Sequence, residues 1–100
     1  MTILKTIENG TVTFSPEGWL DTVSSPELGE MVDAVTEASS IILDFNLVEY
    51  MSSAGLRQVL AANKKARSLD ASFAVIHVSH SVMSIFKMTS IDKKLDIRVK

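Results

Sequence analysis

The stretch IILDFNLVEYMSSAGLRQVL, residues 41–60, constrains the fold more than any other part of the chain. An apolar run with β-formers at 41–45 gives way to a short polar crossing ending at Tyr50, then two serines, then a helical repeat beginning near Ala54. A strand that feeds a helix through a serine-bearing turn aims hydroxyls and free backbone N–H groups outward at the helix N-terminus, where the helix dipole favours negative charge. Such a turn suits a phosphate.

The flanking residues supply the rest of the fold. Asn9 and Gly10, a dipeptide tolerant of left-handed backbone, sit between two β-forming runs at 3–8 and 11–14 and predict an antiparallel hairpin. Residues 15–22, punctuated by Pro16 and Gly18 and carrying Trp19 and Leu20 as apolar contacts, either continue the second strand past an irregularity or form a loop. Ser24, Ser25, Pro26 and Glu27 announce a helix, with either serine as its cap. Leu28, Met31, Val32, Val35 and Ala38 recur at helical spacing and place its end near Ala38.

Residues 40–45 lack clean alternation, as expected for a central strand covered on both sides. A second helix is predicted from about Ser53 to Ser68, a second buried strand at 72–78, and a third helix capped by Ser79 that reaches about Met88. Asp92 to Lys94 reads as a polar connector, and residues 95–99 alternate as a short last strand. The order β-β-α-β-α-β-α-β favours right-handed crossovers. The expected fold class is α/β, a mixed and mostly parallel β-sheet with an antiparallel N-terminal hairpin and three to four α-helices.

A chain of 100 residues, 46% of them hydrophobic, fits one domain spanning 1–100. There is no cysteine, which removes thiolate metal sites and cysteine nucleophiles and fits a reducing compartment. Net charge is −2 with acidic and basic residues interspersed, which is no footprint of a nucleic-acid binder, and Lys64, Lys65 and Arg67 read as a solvated helix face. No signal-like start and no run of the ~20 apolar residues that span a bilayer are present, so the expectation is a cytoplasmic protein without membrane contact.

Catalysis needs a constellation, and the chain offers none. His77 and His80 bracket a strand end without cysteine or a local acid cluster, so they read as edge or solvent histidines and no metal site is expected. GxSxG, HExxH, Walker A and GxGxxG patterns are all missing. Asp44 reads as a strand-end hydrogen-bonding residue that caps the following turn, and Asp21 as a turn or helix-entry residue. Ser52 and Ser53 have two readings: a helix N-cap, or the acceptor of a phosphoryl group whose near-dianionic charge would repel a docked acidic or apolar surface.

The residue pattern of 41–60 resembles the central motif of STAS domains, the fold of bacterial anti-sigma factor antagonists: an apolar strand, a DFxxV-like turn, an aromatic residue, and a serine-bearing helix start followed by Gly55 and Leu56. Gly18, Trp19, Leu20 and Asp21 resemble the family's Gly-x-Leu-Asp before the first helix, and residues 86–93 resemble the segment after the last central strand. The resemblance implies a non-enzymatic partner switch without a cofactor. A kinase that is itself the anti-sigma factor would phosphorylate the serine matching Ser53, with Ser52 as second choice, and thereby lose its grip. A serine phosphatase would restore binding, and the unmodified antagonist would capture the anti-sigma factor so that the sigma factor is released. Asp21, Ser52, Ala54, Gly55 and Arg57 would form the partner surface.

Three features depart from the family pattern. Ser52 stands where Asp often precedes the acceptor serine, and Ser90 stands where glycine is common at a left-handed helix end. The sequence ends after the last predicted strand, where longer relatives add a helix; sheet surface left uncovered would support a homodimer. A different implication of the same resemblance is a non-switching STAS subunit that regulates a transporter or a larger signalling assembly, in which the serines only cap the helix.

Overall fold

Asn9 and Gly10 both take positive φ, 51° and 81°, and turn strand β1 (Thr2–Glu8) back onto β2 (Thr11–Leu20) in the tight hairpin their sequence predicts. The computed structural model describes residues 2–100. After β2 come helix α1 (Ser25–Asp33), strands β3 (Ser40–Asp44) and β4 (Leu47–Met51), helix α2 (Ser53–Ser68), strand β5 (Ser72–Val78), helix α3 (His80–Met88), a 3₁₀ turn at Ile91–Lys93 and strand β6 (Asp96–Val99). The six strands form a mixed sheet in the order β1-β2-β3-β5-β6, antiparallel at β1/β2 and parallel elsewhere, and β4 pairs separately with β2. The α/β class and its N-terminal hairpin are as expected, with three α-helices among the described residues.

Strand β4 is an element the sequence reading passed over as a polar crossing. β2 is long enough to serve two partners in succession: residues 11–14 pair with β3 and residues 17–20 with β4, the second pairing shifting register between Gly18 and Trp19. The open question at residues 15–22 is therefore settled in favour of a continuing strand through Leu20. A second correction concerns α1, which stops at Asp33 rather than near Ala38. Val35 leaves the helix to enter the core at 5% exposure, and the chain beyond it must reach the hairpin, where the Ser39 N–H donates to the Gly10 carbonyl at 2.8 Å. Lys65 of α2 donates to the Asp33 carbonyl at 2.9 Å, so a cation meets the negative end of α1 where it stops.

The third correction is that β3 is central but covered on one side only. Its burial alternates, with Ile41 and Leu43 fully buried and Ile42 and Asp44 half-buried. Val12, Phe14, Ile41, Leu43 and Val75 share the inward face and pack with Leu28 and Val32 of α1, Val59 and Ala62 of α2, and Val82 and Phe86 of α3 in one cluster. Each such large side chain removed from water stabilises the fold by roughly 1.5–3 kcal/mol. Thr13, Ile42 and Ala74 form a row in register on the other face, where Leu4, paired with Ser15, is 61% exposed. The residues expected as a polar connector at 92–94 are mostly the 3₁₀ turn, entered through Ser90 at φ 61°, the left-handed conformation that the family's glycine suits.

Candidate functional site

Helix α2 begins directly against the end of β2. Leu20 pairs with Met51, both buried, and the Ser52 N–H donates to the Leu20 carbonyl at 3.0 Å. Gly55 lets the first turn come this close, because a Cβ there would lie 2.5 Å from the Leu20 carbonyl oxygen and 2.8 Å from the Met51 Cγ. The consequence is a rigid corner in which Asp21 follows the strand end that holds Ser52. It lies beyond the carboxyl ends of the parallel strands, where open α/β sheets present their binding residues.

The two serines at this corner differ. Ser52 is half-buried and acts as the N-cap, its Oγ accepting from the Ala54 N–H at 3.2 Å. Ser53 is exposed, and among the described residues its hydroxyl has no hydrogen-bond partner. Ser53 is also the first helical residue, so unpaired N–H groups of the opening turn and the positive end of the helix lie beside it. Arg57, exposed and without an acidic partner among the described residues, follows one turn later at the i+4 position. Ala54 is half-buried, and Gly55 is buried in the packing just described.

Asp21 is held by its own loop. One carboxylate oxygen accepts from the backbone N–H groups of Val23 at 3.0 Å and Ser24 at 3.1 Å, and Ser24 Oγ lies 3.2 Å away. The Ser24 N–H is the largest influence holding the carboxyl below its usual titration range; desolvation opposes it and the Val23 N–H adds to it. Ser24 does not cap α1 with its side chain; its Oγ accepts from the Asp21 N–H at 3.0 Å and donates to the Trp19 carbonyl at 2.5 Å. Ser25 is buried, and among the described residues its hydroxyl has no partner. The loop that carries Asp21 is thus held by its own hydrogen bonds.

The histidines stand apart from this corner. Both are exposed; His77, at φ 56°, bonds through Nδ1 to Asp44 Oδ1 at 2.9 Å, and the same oxygen accepts from the Asn46 N–H at 3.0 Å, the turn role expected of Asp44. Among the described residues no group of three or more His, Cys, Asp or Glu is placed to hold a metal, and no helix is long and apolar enough to cross a membrane. A cleft of about 540 Å³ lies at the opposite end of the sheet, between the hairpin and the residues after α1, and takes no part in the serine corner.

The sequence reading missed two features beside the corner. Trp19, taken as an apolar contact, is 60% exposed and meets Tyr50 across β2/β4 with ring centroids 5.2 Å apart. The charges are also not interspersed: no Lys, Arg or His lies between Lys5 and Arg57, a stretch that holds nine Asp and Glu. That segregation is visible in the residue string and hidden by the small net charge.

The whole described chain, residues 2–100, matches the model of the STAS domain. Among solved structures the fold is similar to an anti-sigma factor antagonist from Mycobacterium paratuberculosis, at TM-score 0.88 and 24% identity over 99% of this chain and 86% of that one. It is similar to the anti-sigma factor antagonist SpoIIAA in its unphosphorylated form, at TM-score 0.68 and 17% identity over 93% of this chain and 97% of that one. A sulfate transporter family protein from Wolinella succinogenes shares the fold at TM-score 0.81 and 13% identity, over 94% of this chain and 80% of that one. These identities carry the fold alone, and the family match carries the assignment: the chain belongs to the STAS domain family.

Proposed function

We propose that this domain is an anti-sigma factor antagonist switched by phosphorylation at Ser53. The unmodified form binds an anti-sigma factor that is also a serine kinase and so frees the sigma factor. Ser53 Oγ attacks the γ-phosphorus of ATP held by the kinase, ADP leaves, and the hydroxyl proton passes to a base of the kinase. The product carries close to two negative charges at a contact surface that previously presented a hydroxyl. A serine phosphatase hydrolyses the ester and restores the binding form. The domain supplies no catalytic group of its own.

One observation carries the choice of acceptor: the Ser53 hydroxyl is exposed and unpartnered, whereas the Ser52 hydroxyl is engaged in capping. Asp21 and the first turn of α2 complete the docking surface, and Gly55 acts by setting their spacing. Arg57 at i+4 is placed to pair with a phosphate on Ser53, so the modified state has a counter-charge within the chain. The test uses the serine-kinase anti-sigma factors of the same genome. Ser53→Asp weakens binding of the cognate kinase and Ser53→Ala binds it without regulation; wild-type binding by both variants would sink the reading. A second reading, a STAS subunit of a transporter, draws on the likeness to the sulfate transporter family protein. A transporter operon around the gene, in place of a kinase and phosphatase, would favour it.

A further inference from the structure

We propose that Trp19 and Tyr50 form the apolar anchor of a docking surface for a protein that presents arginine or lysine around an apolar side chain. The inference rests on the partner-binding reading of the serine corner and extends that surface onto the uncovered sheet face. The two rings face each other across β2 and β4, tilted by 51°, at 60% and 45% exposure. Leu47 of the same strand adds a further side chain at 54% exposure. Each ring is followed in sequence by a buried side chain, Leu20 at 0% and Met51 at 1%, so the backbone that presents the pair is fixed. Rigid, exposed aromatic side chains of this kind are the residues on which protein contacts concentrate their binding energy.

Charge decides what chemistry the occupant has. Glu17 is strand-paired with Leu47, Glu49 adjoins Tyr50, and Asp21 closes the end of β2. Neither Glu17 nor Glu49 has an ion-pair partner among the described residues. Lys100 lines a pocket together with Leu47 and Glu49, and its ammonium donates to the Asn46 carbonyl at 2.9 Å. A partner guanidinium can therefore stack on an indole or phenol face and meet an unpaired carboxylate in the same approach. A twofold pairing of this surface with its own copy would set acid rim against acid rim, which favours a different protein as occupant.

The full-length chain is titrated by calorimetry with the serine-kinase anti-sigma factors of its own genome. The proposal expects Trp19→Ala and Tyr50→Ala each to weaken cognate binding by about tenfold or more. It also expects Glu17→Gln with Glu49→Gln, which leaves the packing untouched, to flatten the dependence of affinity on salt. Glu30→Gln with Glu37→Gln, distant on the α1 side, serves as the control with no change. Kinase binding that is equal in the wild type and in all these variants overturns this inference and leaves the serine switch standing. Absence of any kinase binding by the wild type overturns both. Self-association of the free chain that Tyr50→Ala abolishes would assign the surface to a second copy and overturn the inference as well.

Discussion

Two helices of this domain begin with a serine pair, and the pairs are built for opposite ends. At α1, Ser24 ties the Asp21 loop to the Trp19 carbonyl and Ser25 is sealed in the core, its hydroxyl without a partner among the described residues. At α2, Ser52 caps the helix and Ser53 stands in solvent. Both pairs hang from the end of β2: the Ser52 N–H donates to the carbonyl of its last residue, Leu20, and the Ser25 N–H to that of Asp21, which follows it. Residue type alone therefore does not divide the four serines. Ser53 alone of these side chains combines exposure with a hydroxyl not already bonded among the described residues, which is why it is the proposed acceptor.

The contrast can be broken most severely at Gly55. Gly55→Ala drives a Cβ into the Leu20 carbonyl, and the expected cost is about 1–3 kcal/mol or more of stability, read as a lowered denaturant midpoint. Binding by this variant would fall along with the spacing of the corner. Ser52→Ala removes a cap and should cost about 1 kcal/mol while leaving the proposed acceptor, Ser53, in place. Ser25→Ala sharpens the comparison from the other side: removing a buried hydroxyl without a partner should be neutral or stabilising by up to about 1 kcal/mol, so a large loss would show a bond that the geometry does not contain.

The smallest expected effect concerns Asp21. Its carboxyl titrates below the unfolded value, chiefly through the Ser24 N–H, so its contribution is present above the unfolded pKa and is lost as pH falls through the folded one. The stability difference between wild type and Asp21→Asn should therefore shrink as the solution is acidified through the carboxylate range. A difference that grew on acidification would contradict the assigned hydrogen bonds.

Much of this was legible in the residue string because local chemistry and tertiary structure agree. Asn9 and Gly10 make the hairpin, Ser79 caps α3 by accepting from the Val82 N–H, and Asp44 holds the turn after β3. Strand β4 was not legible, since its partner is the far half of β2, a long-range pairing with a register shift inside it that no local pattern encodes. The early end of α1 has the same origin: Val35 fits the helical repeat, yet its burial and the link from Ser39 to Gly10 require the chain to leave the helix. The one-sided cover of β3 escaped notice because Ile42 reads as apolar wherever it points. At the site, spacing placed the two serines at a helix start but could not divide the cap from the free hydroxyl. That division depends on a single hydrogen bond, from the Ala54 N–H to Ser52 Oγ.

The most direct test is the intact mass of the chain after incubation with ATP and each of the serine-kinase anti-sigma factors of its genome, the proposed partners. The account predicts a gain of one phosphate by the wild type and by Ser52→Ala, and none by Ser53→Ala. A phosphate retained by Ser53→Ala and lost by Ser52→Ala would contradict it.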